Sequence, residues 1–180
     1  MTKQIHPETA TPLIAGLTAL AVTGRLLPHP SNVTPIGGLT VWGGLRLKPW
    51  QSVTAVVGAM LVSDFFIGFH YAMPQVYGTL IITTLAAHWL RPKSAIQIAS
   101  FTVVSSIVFF ITTNWIFYPW QTTSMYPHNW VGQMASYTAG LPFLRNSMIG
   151  DMTYTALFFG LEWVVARLKS RHKQILGGLV

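Results

Sequence analysis

Residues 95–120 read AIQIASFTVVSSIVFFITTNWIFYPW, a stretch that contains no charged side chain. A helix needs about 20 mostly apolar residues to cross the hydrocarbon core of a bilayer, and this stretch is long enough. Further apolar runs, bounded by proline, glycine or basic residues, cover 12–27, 35–47, 50–69, 73–90 and 147–168. The sequence therefore predicts an all-α integral membrane protein, a bundle of six transmembrane helices forming a single membrane domain over residues 1–180.

The composition agrees with a membrane environment. Of 180 residues, 51% are hydrophobic and only 8% are charged, which leaves too few ionic side chains to cover a soluble globule of this size. The absence of cysteine excludes disulfides and thiolate metal sites. The net charge of +7 is spread in ones and twos between apolar runs, so no nucleic-acid partner is expected.

The positions of the basic residues predict the orientation of the bundle. Positively charged residues concentrate in cytoplasmic connections. With six spans, Arg25 and Arg145 fall on one side, and the other side holds Lys3, Arg46, Lys48, Arg91, Lys93, Arg167, Lys169, Arg171 and Lys173. Both termini are therefore expected in the cytoplasm, and the protein is expected to be a multi-pass protein of a bacterial inner (cytoplasmic) membrane.

Two segments depart from a simple pattern of spans. The run 35–47 is shorter than a full crossing, which indicates a helix tilted inside the bundle or one that begins in the preceding loop. The outer segment between the last two runs is rich in tryptophan, tyrosine and glycine. Its middle part, Trp130 to Ala139, is predicted to be a short surface helix in the loop between helices 5 and 6.

Few ionisable residues lie within the runs. Arg25, Asp64, Arg145 and Asp151 are expected at the same depth, near the outer face, and their charges sum to zero. Ionisable groups in membrane segments normally face the bundle interior and meet one another or a ligand. The pattern is equally compatible with a structural network of ion pairs. Glu162 is expected near the inner end of the last helix, paired with Arg167 or extended to the interface.

Amide, aromatic and histidine side chains join these charges on the outer side. Such a lining suits a mostly uncharged, ring-containing ligand, although aromatic residues also form belts at membrane interfaces. His29, His70 and His128 come from three outer loops, where converging imidazoles would suit a metal and scattered ones would not; no metal site is predicted. The predicted substrate-binding residues are Arg25, Asn32, Asp64, His70, Tyr77, Asn114, Trp115, Tyr126, His128, Arg145, Asn146 and Asp151.

Nearly the whole chain resembles a family of small bacterial membrane proteins of unassigned function. The motifs that carry the resemblance are RLLPHPSNVTPIG at 25–37, SDFFIGFH at 63–70, MP at 73–74, YG at 77–78, TNW at 113–115, MYP at 125–127 and LPFLRNSMIGD at 141–151. Because that family has no assigned activity, the resemblance implies no chemistry.

In plan, the chain also resembles the substrate-binding S-components of energy-coupling-factor (ECF) vitamin transporters. That resemblance implies six helices, an outward-facing pocket closed by loops, and a small-residue motif on the first helix that docks the ECF-type transmembrane and ATPase subunits. Ala15 and Ala19 match the docking pattern. The solitary cobalamin-uptake type would imply a corrinoid as the transported ligand. Its cysteine ligand to cobalt is absent here, and His70 is the candidate axial ligand in its place.

The sequence thus predicts a non-enzymatic substrate-binding subunit for uptake of a small organic nutrient, a vitamin or a precursor, with cobalamin as one candidate. No bound prosthetic group is expected, and the lipid bilayer is an expected partner. Two alternatives stay open at this point. One is a membrane scaffold or assembly subunit without transport, and the other is an intramembrane enzyme that uses Asp64 and Asp151.

Overall fold

A computed structural model describes the backbone of residues 7–120 and 125–177 and the side chains of residues 11–120 and 125–171. Within these ranges the chain forms six α-helices and no strand, which confirms the predicted all-helical fold. The helices are α1 (Pro7–Leu26), α2 (Ile36–Arg46), α3 (Pro49–Ile67), α4 (Met73–Leu90), α5 (Ala95–Thr113) and α6 (Trp130–Gly177). Among the described residues, α3 and α5 are long and apolar enough to cross a membrane, and Thr11–Leu26 is apolar but shorter. Six spans therefore remain a prediction.

The last helix differs from the predicted arrangement. Residues 130–139 are continuous with the rest of α6, so the prediction of a separate short surface helix is wrong. Pro142 lies inside this helix, where a proline removes one backbone hydrogen bond. Packing of the first turns of α6 against the end of α5 outweighs that loss, since Gln133 and Ser136 are buried there and Gly140 lies close to Asn114.

Helix α2 is the centre of the bundle. It contacts each of the other five helices, and all of its residues except Gly37 and Arg46 are buried. Its glycines permit this position, because a Cβ atom on Gly38 would lie 2.6 Å from the backbone of Tyr154 in α6. An interior helix surrounded by protein needs no particular length, which accounts for the short apolar run at 35–47.

Successive helices alternate in direction. Helix α2 runs parallel to α6, since Gly37 lies beside Asp151 and the indole N–H of Trp42 donates to Glu162 Oε2 at 3.0 Å. Arg25 of α1 likewise pairs with Asp64 near the end of α3. One end of the bundle, here called the cavity end, therefore holds the ends of α1, α3 and α5 together with the beginnings of α2 and α4. The opposite, basic end holds Arg46, Lys48, Arg91 and Lys93.

At the basic end, Glu162 is held by α2. Arg46 Nε donates to both carboxylate oxygens of Glu162 at 2.8 Å, and the Arg46 guanidinium lies 4.8 Å from the centre of the Phe159 ring. The expectation that Glu162 pairs with Arg167 is wrong. Arg167 lies over the Trp163 ring instead, and the carboxylate of Glu162 ties α6 to the central helix.

Large apolar side chains lie on the surface of the bundle, and its interior combines an apolar core that includes Leu39, Trp42 and Phe158 with many hydroxyl side chains. The buried residues of α5 are Thr102 and Ser106, whereas its exposed residues include Ile96, at 79% exposure. On α3 and α4, Phe65 and Trp89 are each 72% exposed. The described interior includes the polar residues Thr40, Ser52, Ser63, Asp64, Gln75, Thr79, Thr83, Thr84, Thr102 and Ser106.

Candidate functional site

A cavity of about 700 Å³ lies in the bundle toward the cavity end. The turn between α1 and α2, the turn between α3 and α4, and residues of all six helices contribute to its wall. The polar part of the wall includes Arg25, His29, Ser31, Asn32, Thr34, Thr40, His70, Thr83, Thr102, Ser105, Thr113, Asn114, Ser147 and Asp151. The apolar part includes Ile36, Val41, Met60, Ile67, Val76, Leu80, Phe109 and Phe143. A cavity of this size suits a drug-sized organic compound.

Five of the predicted binding residues line this cavity: Arg25, Asn32, His70, Asn114 and Asp151. Arg25 and Asn114 lie at the ends of α1 and α5, Asn32 and His70 lie in the turns after α1 and α3, and Asp151 lies inside α6. The fold therefore brings together residues that are distant in sequence. Asn32 has a φ of 64°, a left-handed conformation that asparagine tolerates better than most residues. The turn after α1 therefore places an amide at the cavity wall without a glycine.

Arg25 is fixed by a buried network on α3 and α4. Its Nη1 atom donates to Asp64 Oδ1 at 2.5 Å and to Ser63 Oγ at 2.6 Å. The hydroxyl of Tyr77 donates to Asp64 Oδ2 at 2.7 Å. The side chain of Asp64 is fully buried. Asp64 and Tyr77, both predicted to bind substrate, are not in the cavity wall, and they hold Arg25 in place instead.

Asp151 lies in another part of the wall, where α6 meets α5 and the start of α2. Its Oδ2 atom accepts a hydrogen bond from Ser106 Oγ at 2.6 Å. Its carboxylate also packs against Gly37, where any Cβ atom would overlap it. Glycine at position 37 is therefore required for this carboxylate to occupy its place.

The predicted cluster of four charges does not form. Within the described side chains the ion pairs are Arg25 with Asp64 and Arg46 with Glu162, so Asp151 has no cationic partner there. Arg145 is exposed and is not in the cavity wall. Arg145 and Asp151 are six residues apart on one continuous helix, so they lie about 9 Å apart along its axis and point to different sides.

Asn114 ends α5 and anchors the chain that follows it. Its side chain donates to the Phe110 carbonyl at 2.9 Å. Its own carbonyl accepts hydrogen bonds from Gln133 Nε2 at 3.1 Å and from Ser136 Oγ at 3.0 Å. Gln133 also accepts the backbone N–H of Ile116 at 3.0 Å. Sequence patterns do not single out Gln133, because nothing in an isolated glutamine shows that it will be buried.

Replacing Gln133 with alanine is expected to lower the free energy of unfolding by about 2 kcal/mol, because the buried Ile116 N–H loses its partner and the Asn114 carbonyl loses one of two donors. Limited proteolysis should cleave residues 114–129 faster in this variant, and thermal unfolding in detergent measures the stability. The control is Met134→Ala, which removes a neighbouring side chain that is 52% exposed. Equal stability of the two variants would contradict the anchoring role.

The remaining predicted residues lie outside the cavity wall. Trp115 and Trp130 have ring centres 6.4 Å apart, and Phe117 joins both this pair and His128. Tyr126 is half-buried. The side-chain amide of Asn146 donates to the Ser31 carbonyl at 3.0 Å, which fastens α6 to the turn that carries Asn32.

The outer histidines do not converge. His29 and His70 line the cavity, whereas His128 packs on Phe117. In the described part of the chain, no group of three histidine, aspartate or glutamate side chains could hold a metal ion. The interpretation of these three histidines as a metal centre therefore has no structural support.

The small residues of α1 face outward. Ala15 and Ala19 are exposed, and a Cβ atom on Gly16 would meet nothing within 4 Å. Beside them, a groove between α1 and α6 has apolar walls and Lys169 at one edge. The fold therefore leaves this face of α1 accessible along the bundle.

Comparison with known proteins identifies the family of the chain. No curated protein and no solved structure gives a significant match to it. A family model does match, and it covers residues 5–174, nearly the whole sequence. The chain therefore belongs to a family of unknown function (DUF6580).

Proposed function

We propose that this protein is an integral membrane protein that binds a small organic nutrient in the cavity and takes part in its uptake. The observation that carries the proposal is the cavity, which is lined by both polar and apolar side chains and lies toward the end of the bundle opposite most of the basic residues. An uptake protein needs such a site open to the side from which the nutrient arrives. Under this proposal the chain performs no catalysis of its own.

The exposed apolar surface supports a membrane location. In water, large apolar side chains are buried and contiguous exposed apolar surface is small. Here Ile96, Phe65 and Trp89 are exposed while hydroxyl side chains are buried, which is the arrangement favoured when lipid surrounds the bundle. The basic end would then face the cytoplasm, together with both termini. A bacterial inner membrane is the location proposed.

The cavity supports a ligand of moderate size. Its amides and hydroxyls would orient polar groups, while Phe109 and Phe143 offer apolar contact for a ring. A vitamin or a precursor of one fits this description. Cobalamin stays a candidate, with His70 at the cavity wall as its axial ligand, but a complete corrinoid exceeds a drug-sized compound and would have to extend through the mouth of the cavity.

The accessible face of α1 supports coupling to a partner. Ala15 and Ala19 would allow a partner helix to approach closely, as small residues do at helix interfaces in membranes. In an S-component-like protein this partner would be an ECF-type transmembrane subunit that acts with ATPase subunits. Uptake would then proceed by capture of the ligand at the cavity end and release after reorientation.

One observation favours the scaffold alternative. The aromatic cluster of Trp115, Phe117, His128 and Trp130 lies outside the cavity, and Trp130 is 66% exposed, so it offers a surface for another protein. The enzyme alternative has less support, because Asp64 is sealed in its pair with Arg25 and does not reach the cavity that Asp151 lines.

Ligand binding in the cavity is tested by native mass spectrometry and by thermal shift with a panel of water-soluble vitamins. At least one compound is expected to copurify or to raise the melting temperature by several degrees, as specific binding does. His70→Ala should reduce this shift strongly, because His70 lines the cavity. His128→Ala is the control, since that histidine lies at the same end but outside the cavity. A protein that carries no compound and responds to none would contradict the proposal.

A further inference from the structure

We infer that the compound bound in the cavity carries a positively charged group, and that Asp151 binds it. This inference rests on the proposed function and specifies the chemical class of the ligand. It also changes the expectation drawn from the sequence, which favoured a mostly uncharged compound. The charge that a ligand must carry depends on how the ionisable groups of the cavity wall are neutralised.

The two strong charges of the wall have different environments. Arg25 is neutralised within the protein, because Asp64 pairs with it and is itself fully buried. Asp151 forms no ion pair with any described side chain. Its hydrogen-bond partner is the neutral hydroxyl of Ser106. The wall therefore has one carboxylate without a compensating cation, whereas the charge of its guanidinium is already paired.

An uncompensated carboxylate between packed helices is costly. An ionised group away from bulk water is normally paired or is neutralised by taking up a proton, and membrane proteins keep such groups where they meet a ligand or a pathway. The protein also makes room for this carboxylate, since Gly37 has no side chain to exclude it from the start of α2. A ligand cation in the cavity would supply the missing charge.

The surroundings of Asp151 suit an organic cation. Thr40 lies one turn after Gly37 in α2, and Thr102 lies one turn before Ser106 in α5. Both line the cavity, so each helix that contacts the carboxylate also contributes a hydroxyl group to the wall. The rings of Phe109 and Phe143 are also in the wall, and aromatic rings attract cations. A transition-metal ion would need several histidine, aspartate or glutamate side chains close together, and the described residues hold no such group of three.

The test compares fixed cations with uncharged ring compounds on the unmodified protein in detergent. The cations are thiamine and 1-methylnicotinamide, and the uncharged compounds are riboflavin and nicotinamide. Measurements at pH 8 keep the solvent-exposed imidazoles uncharged. At least one cation is expected to raise the melting temperature, and the uncharged compounds are expected to have little effect. Sodium chloride alone serves as the test for a small inorganic cation.

Variants of Asp151 identify the carboxylate as the partner. Asp151→Asn should weaken binding of the cation by about 30-fold or more, the range for removal of one partner from a buried charge pair. Asp151→Glu keeps the charge and should retain measurable binding. The melting temperature of each ligand-free variant shows whether that variant is folded. If a variant is not folded, the comparison of cations with uncharged compounds on the unmodified protein still tests whether the ligand is cationic.

Each remaining outcome overturns the inference in a distinct way. If uncharged compounds bind and cations do not, the ligand is not cationic and the proposed function stands. If a cation binds Asp151→Asn as tightly as the unmodified protein, the carboxylate is not its partner. If sodium alone gives the same shift, Asp151 binds an inorganic ion. If no compound binds, the proposed function fails as well.

Discussion

Replacing Asp64 with alanine is expected to lower the free energy of unfolding by about 3–5 kcal/mol, the range for removing one partner of a buried ion pair. The Asp64 side chain is fully buried and that of Arg25 is 16% exposed, so the remaining guanidinium would have little water to replace its partner. The loss also deprives the Tyr77 hydroxyl of its acceptor. Chemical or thermal unfolding in detergent measures the change.

Two further variants separate the effect of leaving a charge unpaired from the effect of losing a hydrogen bond. Removing both charges, in Arg25→Leu with Asp64→Leu, should recover a large part of the loss, because neither charge is left unpaired. Tyr77→Phe should cost only about 1 kcal/mol, the usual net value of one hydrogen bond. If Asp64→Ala were as stable as Tyr77→Phe, the ion pair would not be what holds α1 against α3 and α4.

This network shows what the sequence could and could not predict. Apolar runs predicted six helices because the period and length of hydrophobic residues are local properties. The depth of Arg25 and Asp64 was also predictable, by counting residues along each run. Which carboxylate meets which arginine was not, since it depends on how the helices rotate about their axes. The outcome was one sealed pair, Arg25 with Asp64, and one carboxylate, Asp151, left facing the cavity.

The same limit explains the errors in α6. Proline and glycine at 140–142 indicate a break when they are considered locally, and the aromatic segment before them resembles a surface helix. The helix continues because Gln133, Ser136 and Gly140 pack on the end of α5. Those contacts join residues about 20 positions apart, so they have no signature in a local window.

The two ends of the central helix have different surroundings. Toward the basic end, α2 is tied to α6 by Glu162 and Arg46 and packs closely on α4 at Gly44. Toward the cavity end, its first turn borders open space beside Asp151. Under the proposed function, the close packing of α2 at the basic end would hold its first turn in place beside the cavity, as a preorganised binding site requires. Changes to α2 at the basic end should therefore affect stability rather than ligand selectivity.

Gly44→Ala is expected to destabilise the protein by about 1–3 kcal/mol relative to Gly43→Ala, the usual cost of overpacking. The new methyl group at position 44 would overlap the Thr84 carbonyl and lie 2.6 Å from Ala87 Cβ. At position 43 the nearest atom is Ser52 Cβ at 3.4 Å, an ordinary contact. Thermal unfolding of the two variants in the same detergent measures the difference.

The two glycines form a matched pair because they are neighbours in one buried helix. Both substitutions improve intrinsic helix propensity by the same amount, about 1 kcal/mol, so this gain cancels in the comparison. What remains is the space available at each position, where the atom opposing Gly44 is a backbone carbonyl of α4 and can yield only if that helix moves. Equal melting temperatures for the two variants would mean that α2 and α4 are not in close contact, and that α2 is not the packed centre of the bundle.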